Sequence, residues 1–151
     1  MHVGSALDAE IVPGDEASVT VRGDDNVLDR IEILERRREV SIRLERAVRL
    51  RDATVQATRL DVSASGSSNV VLAGRAEGLS VSASGASDAD LAELVVDGDA
   101  DVRASGSSDV VVHVEGALHA RASGASDVRY GGAPTAVSAE ESGAASIGPS
   151  G

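Results

Sequence analysis

The chain has 151 residues, a net charge of −11 at pH 7, and no Cys, Phe or Trp. That length bounds it to one domain with a continuous core, and the missing thiols exclude disulfides and thiolate metal sites. Val, Ala, Leu and Ile supply nearly all the apolar residues, and Tyr130 is the sole aromatic. Such a core must be narrow, because wide ones need larger side chains to reach native packing density.

Residues 1–29 set seven acids against one Arg. Their opening, "MHVGSALDAEIVPGDE", lacks the apolar run of a signal peptide. No later stretch is long and apolar enough to cross a membrane as a helix, so no membrane insertion by this chain is expected. Within this segment, "VTVRGDDNV" (19–27) lines up with "VSASGSSNV" (62–70), setting Gly23 over Gly66 and Asn26 over Asn69.

Residues 30–59 reverse the balance, with nine Arg against five acids, and every basic residue of the chain is Arg. A polyanion patch and a solvated strand face of Glu–Arg cross-strand pairs both fit "RIEILERRREVSIRLER". Nucleic-acid binding calls for a more basic domain with stacking aromatics, so the strand face is favoured and no nucleic-acid partner is expected. Propensity alone would allow a helix over 30–51. However, Ile31/Ile33, Val40/Ile42/Leu44 and Val48/Leu50 keep a two-residue beat, which predicts strands.

From residue 60 a repeat takes over. Its copies are "SASGSSNV" (63–70), "SASGASDA" (82–89), "RASGSSDV" (103–110), "RASGASDV" (121–128) and a worn "EESGAASI" (140–147). The glycines are Gly66, Gly85, Gly106, Gly124 and Gly143, at steps of 19, 21, 18 and 19 residues. A step of 43 residues from Gly23 to Gly66 leaves room for one degenerate copy, with "EVSIRLERAVRL" (39–50) as its body.

Each copy alternates on both sides of its glycine, which marks strands. Before the glycine the inward columns read Leu60, Leu79, Ala100, Leu118, Val137 and Val62, Val81, Val102, Ala120, Ala139. After it they read Val70, Ala89, Val110, Val128, Ile147 and Leu72, Leu91, Val112, Tyr130. A short repeat, two strands and a small-residue core predict an all-β fold, a right-handed parallel β-helix (β-solenoid). About seven coils of roughly 19–21 residues, stacked about 4.8 Å apart, would make a rod about 34 Å long. The whole of 1–151 reads as a single β-solenoid domain, with degenerate N-terminal coils over 1–59 and regular coils over 60–151.

Glycine at the corner supplies a positive φ or a close backbone approach. Ser68, Ser87, Ser108 and Ser126 satisfy the turn's backbone groups, and Asn69, Asp88, Asp109 and Asp127 form one column of turn-accepting side chains. Stacked carboxylates at Asp88, Asp109 and Asp127 would alternatively hold Ca²⁺. The structural role is favoured, because Ca²⁺-binding β-rolls present more carboxylates in a shorter repeat, and no cofactor is expected. No serine has a base beside it in the pattern, as a nucleophile requires. His113 and His119 both fall on outward beats, so no catalytic residue is assigned. The outward column of Asp101, Arg103, His119 and Arg121 is the candidate binding face.

The tandem "ASGASD-V" and "ASGSSDV" motifs, the preceding "VRGDDNV" and the terminal "SDVRYGGAP…SGAASI" resemble the head GIN domain family of adhesin-like autotransporter proteins. The similarity runs from about Val19 to Ile147, with Y-G-G-x-P at 130–134 where that family has it. It implies a right-handed parallel β-solenoid, usually exported to the bacterial cell envelope, with no established enzyme activity and no defined catalytic residues to carry over. The expected function is therefore a non-catalytic, adhesin-like surface module that binds a partner protein or surface glycan. A structural scaffold that self-associates through its solenoid faces is the first alternative, and a carbohydrate-active β-helix enzyme the second. Pro13 with the N-terminal acids, and Glu141, Pro134, Pro149 and Gly151 in the last coil, read as devices that block the open strand edges at the ends.

Overall fold

The structure, a computed structural model, describes residues 18–20, 31–36, 39–44 and 49–151. Every regular element among them is a strand: β1 (Ser18–Thr20), β2 (Ile31–Arg36), β3 (Glu39–Leu44), β4 (Arg49–Ala64), β5 (Asn69–Ala83) and β6 (Asp88–Val96), followed by β7 (Ala100–Ala104), β8 (Asp109–Val114), β9 (Ala117–Gly124), β10 (Asp127–Gly131), β11 (Ala136–Gly143) and β12 (Ser146–Pro149). From β3 onward successive coils pair in parallel, giving a β-solenoid of about five turns rather than the seven expected.

Two walls face each other across the core. The first stacks β3, the second half of β4, the second half of β5, β7, β9 and β11. The second stacks the first halves of β4 and β5, then β6, β8, β10 and β12. The predicted columns hold in register, save that a shift between Val71 and Ala73 interrupts the step from Leu72 to Leu91. Leu60 pairs with Leu79, Leu79 with Ala100, Ala100 with Leu118, and Leu118 with Val137. On the other wall Val70, Ala89, Val110, Val128 and Ile147 follow one another in register. Burial alternates strictly along β7, β8 and β9, with the apolar residues inside. Aliphatic residues on facing walls fill the narrow space without aromatic bulk.

The unequal steps have a local cause. Leu91 pairs with Val112, yet the next paired residue on β6 is Val95, opposite His113. Against β8 three more residues are fitted into β6, but two of them stay paired with β5, Glu93 with Ala73 and Leu94 with Gly74, and Leu94 is fully buried; against β5 the bulge is a single residue. The Ala92 N–H donates to Asp90 Oδ1 (3.1 Å), which holds the bulge.

At the N-terminal end the pairing direction changes. β2 runs antiparallel to β3, and β1 runs antiparallel to residues 54–56 of β4. These strands therefore do not continue the parallel stack that the sequence repeat suggested. Alternation within a strand fixes which side chains face inward, whereas the direction of pairing depends on the connections between strands. Gly23, Asn26, Val48 and Pro13 lie outside the described residues. In backbone register Glu32 stands opposite Arg43 and Arg36 opposite Glu39. Arg59 Nη1 meets Glu39 Oε1 at 3.7 Å, a cross-strand pair of the expected kind.

The last coil is built differently. Ser146 and Ser150 donate back to Ser126 O (3.0 Å) and Tyr130 O (2.8 Å). By alternation the Ile147 N–H points to the free edge, where Glu141 Oε1 accepts it at 2.6 Å. Pro149, two residues on, has no N–H to offer. Glu141 and Pro149 thus remove both of these donors from the outer edge of β12.

Candidate functional site

The repeated corner is built by three residues in sequence. Gly66, Gly85, Gly106, Gly124 and Gly143 have φ between 76° and 83°, a region other L-residues enter at a cost. Close approach adds a second constraint: a Cβ at Gly106 would sit 2.5 Å from Gly85 O. Both reasons anticipated for glycine apply at once.

Two residues after each of the first four glycines comes a serine with no exposure: Ser68, Ser87, Ser108 and Ser126. Each hydroxyl donates to the carbonyl three residues earlier, Ser65, Ser84, Ser105 and Ser123, at 2.8–3.0 Å. The Ser87 and Ser126 oxygens also accept the N–H of Ser68 (3.4 Å) and Ser108 (3.3 Å) in the coil beneath. The sequence indicated their bonds to turn backbone, but their burial went unread. The signal was available, since Ser68 shares parity with inward Val70 and Leu72.

Asn69, Asp88, Asp109 and Asp127 stand in register on the outside of the second wall. Ser146 Oγ donates to Asp127 Oδ1 at 2.7 Å, ending the column. Among the described residues no three acidic or histidine side chains converge on one point that would suit a metal ion.

Asp101, Arg103, His119 and Arg121 come together on the outside of the first wall. Asp101 stands beside His119 and Arg103 beside Arg121 in adjacent coils, all four exposed. The ladder continues as Asp61, Ser80, Asp101, His119, Ser138 in one row and Ser63, Ser82, Arg103, Arg121, Glu140 in the next. Arg121 Nε pairs with Glu140 Oε2 at 2.9 Å. No carboxylate of the described residues pairs with Arg103. The two guanidinium groups form a ridge between two shallow hollows. One, of about 160 Å³, is bordered by Asp101, His119 and Ser138. The other, of about 510 Å³, is bordered by Ser82, Ser105, Ser123 and Ser142.

Sequence reasoning missed a third hollow, of about 830 Å³, lower on the same wall. Glu39, Asp61, Glu77, Asp99 and Asp101 surround it, with Arg59 as the cation. Glu39, Asp61, Glu77 and the Asp99–Asp101 pair come from separate coils, and only the coil register brings them together. His113 is separate from His119, on the second wall, where its Nε2 lies 3.2 Å from Glu115 Oε1. The two histidines form no dyad.

Comparison with curated proteins and with solved structures gives no significant match. A family model described as putative auto-transporter adhesin, head GIN domain, matches residues 38–134. The matched span begins just before β3, where parallel pairing begins, and ends with the Y-G-G-x-P segment at Pro134. It is narrower than the 19–147 expected from the motifs, leaving the antiparallel strands β1 and β2 outside it. By this match over most of its length, the chain belongs to the head GIN domain family.

Proposed function

We propose that this protein is a non-catalytic surface module of the bacterial cell envelope, adhesin-like, which presents its first wall to a partner. The single observation that carries the reading is the two-row outward ladder around Arg103 and Arg121. Apart from Ser138 and Glu140 on the terminal strand β11, which pairs with β9 alone, every side chain in it is mounted on a backbone paired with the coils above and below. A partner therefore meets a surface whose ordering cost was met on folding, which favours binding. Family membership supports the same direction. The described surface offers broad, shallow hollows and no nucleophile held against a base, which suits binding better than turnover.

Protease treatment of intact cells of the native host tests the location. Cleavage of the chain on unbroken cells is the expected result, and recovery solely inside the protected compartment would sink the reading. Release of reducing ends from any member of a polysaccharide panel would move the protein to the enzyme class.

A self-associating scaffold is the second reading, favoured by Val137, which is 44% exposed on β11. Light scattering across a concentration series separates the two, with growth in particle size supporting the scaffold.

A further inference from the structure

We infer that the Arg103–Arg121 ridge binds the carboxylate groups of an acidic polysaccharide, with one guanidinium supplied by each of two adjacent coils. This rests on the surface-module reading and names the chemistry that its face would take.

The ridge is an unusual arrangement for a chain so acidic. Like charges placed directly opposite on neighbouring strands repel, and coil spacing sets these two about 4.8 Å apart at the backbone. Glu140 Oε2 engages Arg121 at Nε (2.9 Å), and that guanidinium remains exposed beside Arg103. Arg103 has no acidic partner among the described residues. An anion seated between them would meet N–H donors from both forks, the geometry in which guanidinium recognises carboxylate best. Exposed Ser82 and Ser105 and half-buried Ser123 flank the pair and add hydroxyls that can donate to, or accept from, sugar hydroxyls.

Neighbouring charges favour a polymer less densely charged than polyphosphate. Asp101 lies beside the ridge on one side and Glu140 and Glu141 border it on the other. A dense polyphosphate crossing the wall would run over those carboxylates, and the acidic hollow around Asp61, Glu77 and Asp99 lies farther along the same wall. The single aromatic residue, Tyr130, packs against the core and offers no stacking platform for bases. A polyuronate, with one carboxylate per sugar on a hydroxyl-rich backbone, meets the two arginines and the serines with less of that repulsion.

Surface plasmon resonance with immobilised polygalacturonate, dextran, dextran sulfate and polyphosphate tests the inference on the whole chain. Expected are binding to polygalacturonate that weakens with added salt and no binding to dextran. R103S should weaken that binding about tenfold, and R103S/R121S should abolish it. Serine already occupies this row at Ser63 and Ser82, so R103S keeps the ladder's chemistry, and an unchanged melting temperature verifies its fold. R129S, on the second wall, should bind as the unaltered chain does. Equal loss in R129S, or full binding by the double variant, overturns the assignment. So does binding to polyphosphate or dextran sulfate in the absence of binding to polygalacturonate. If the unaltered chain binds none of the four polymers, the carboxylate ridge is refuted while protease accessibility on intact cells still decides the surface reading.

Discussion

The fourth and fifth regular coils carry the same motif and meet different fates. In the coil of β9 and β10, Leu118, Ala120, Ala122, Ser126 and Val128 are all buried. One step on, in β11 and β12, Val137, Ala139 and Glu141 are exposed and Ala145 and Ile147 only half covered. The backbone register between the two is unbroken. Burial here is therefore supplied by the neighbour on each side, and a coil with one neighbour keeps the shape without the full enclosure. The terminal sequence fits that position. Ala145 stands where the inner coils bury serine, and Glu141 stands where they place alanine.

Substitutions at equivalent positions of the inner and outer coils should differ, and the difference is the test. Glycine gives the largest effect. Gly106→Val combines a positive φ with a side chain driven into Gly85 O, and should cost about 3–5 kcal/mol. Gly143→Val meets its neighbour at 2.8 Å in a coil free to move away, so it should cost less than half as much. Equal losses in urea melts would show that the last coil is as constrained as the inner ones.

Next comes the aliphatic column. Leu118→Ala opens a cavity between covered coils and should cost about 2–4 kcal/mol, whereas Val137→Ala at the exposed end of the column should cost under about 1 kcal/mol. Differential scanning calorimetry reads both.

The serine column follows. Ser126→Ala removes the donor to Ser123 O and the acceptor of Ser108 N–H inside the stack, for a loss of about 1–3 kcal/mol. The reverse change, Ala145→Ser, should be close to neutral, because solvent reaches that corner. A stabilisation as large as the Ser126→Ala loss would refute the comparison. Least of all should come from the exposed ion pair: Glu140→Gln is expected to change stability by less than about 1 kcal/mol.

The inner coils were almost fully legible in the sequence. Alternation chose the faces of Leu60, Leu79, Ala100 and Leu118, and the glycine step aligned them, so the register followed. Arg103 and Arg121 were placed together by the same two facts. What the pattern could not carry was anything decided by contacts outside a coil. The antiparallel course of β1 and β2 is one example, since Ile31 and Ile33 alternate alike in either direction. The acidic hollow is another, because Glu39, Asp61, Glu77 and Asp99 are separated by about a coil or more and only stacking joins them. Ser108 was read correctly as a donor to turn backbone, while its burial went unread, because full enclosure of its hydroxyl comes from the neighbouring coils as well as from its own bond to Ser105 O.

The bulge in β6 bears on how such a rod can be altered. Asp88 and Asp109 are paired before it and Val96 and Val114 after it, so three residues more than β8 has, and one more than β5 has, pass without disturbing the alignment before or after it. Ala92, which stands in neither register, is exposed at its crest. This coil therefore acts as an expansion joint, the place where a guest peptide could be spliced in and displayed on the second wall, away from the arginine ridge, with the repeat resuming its count beyond it.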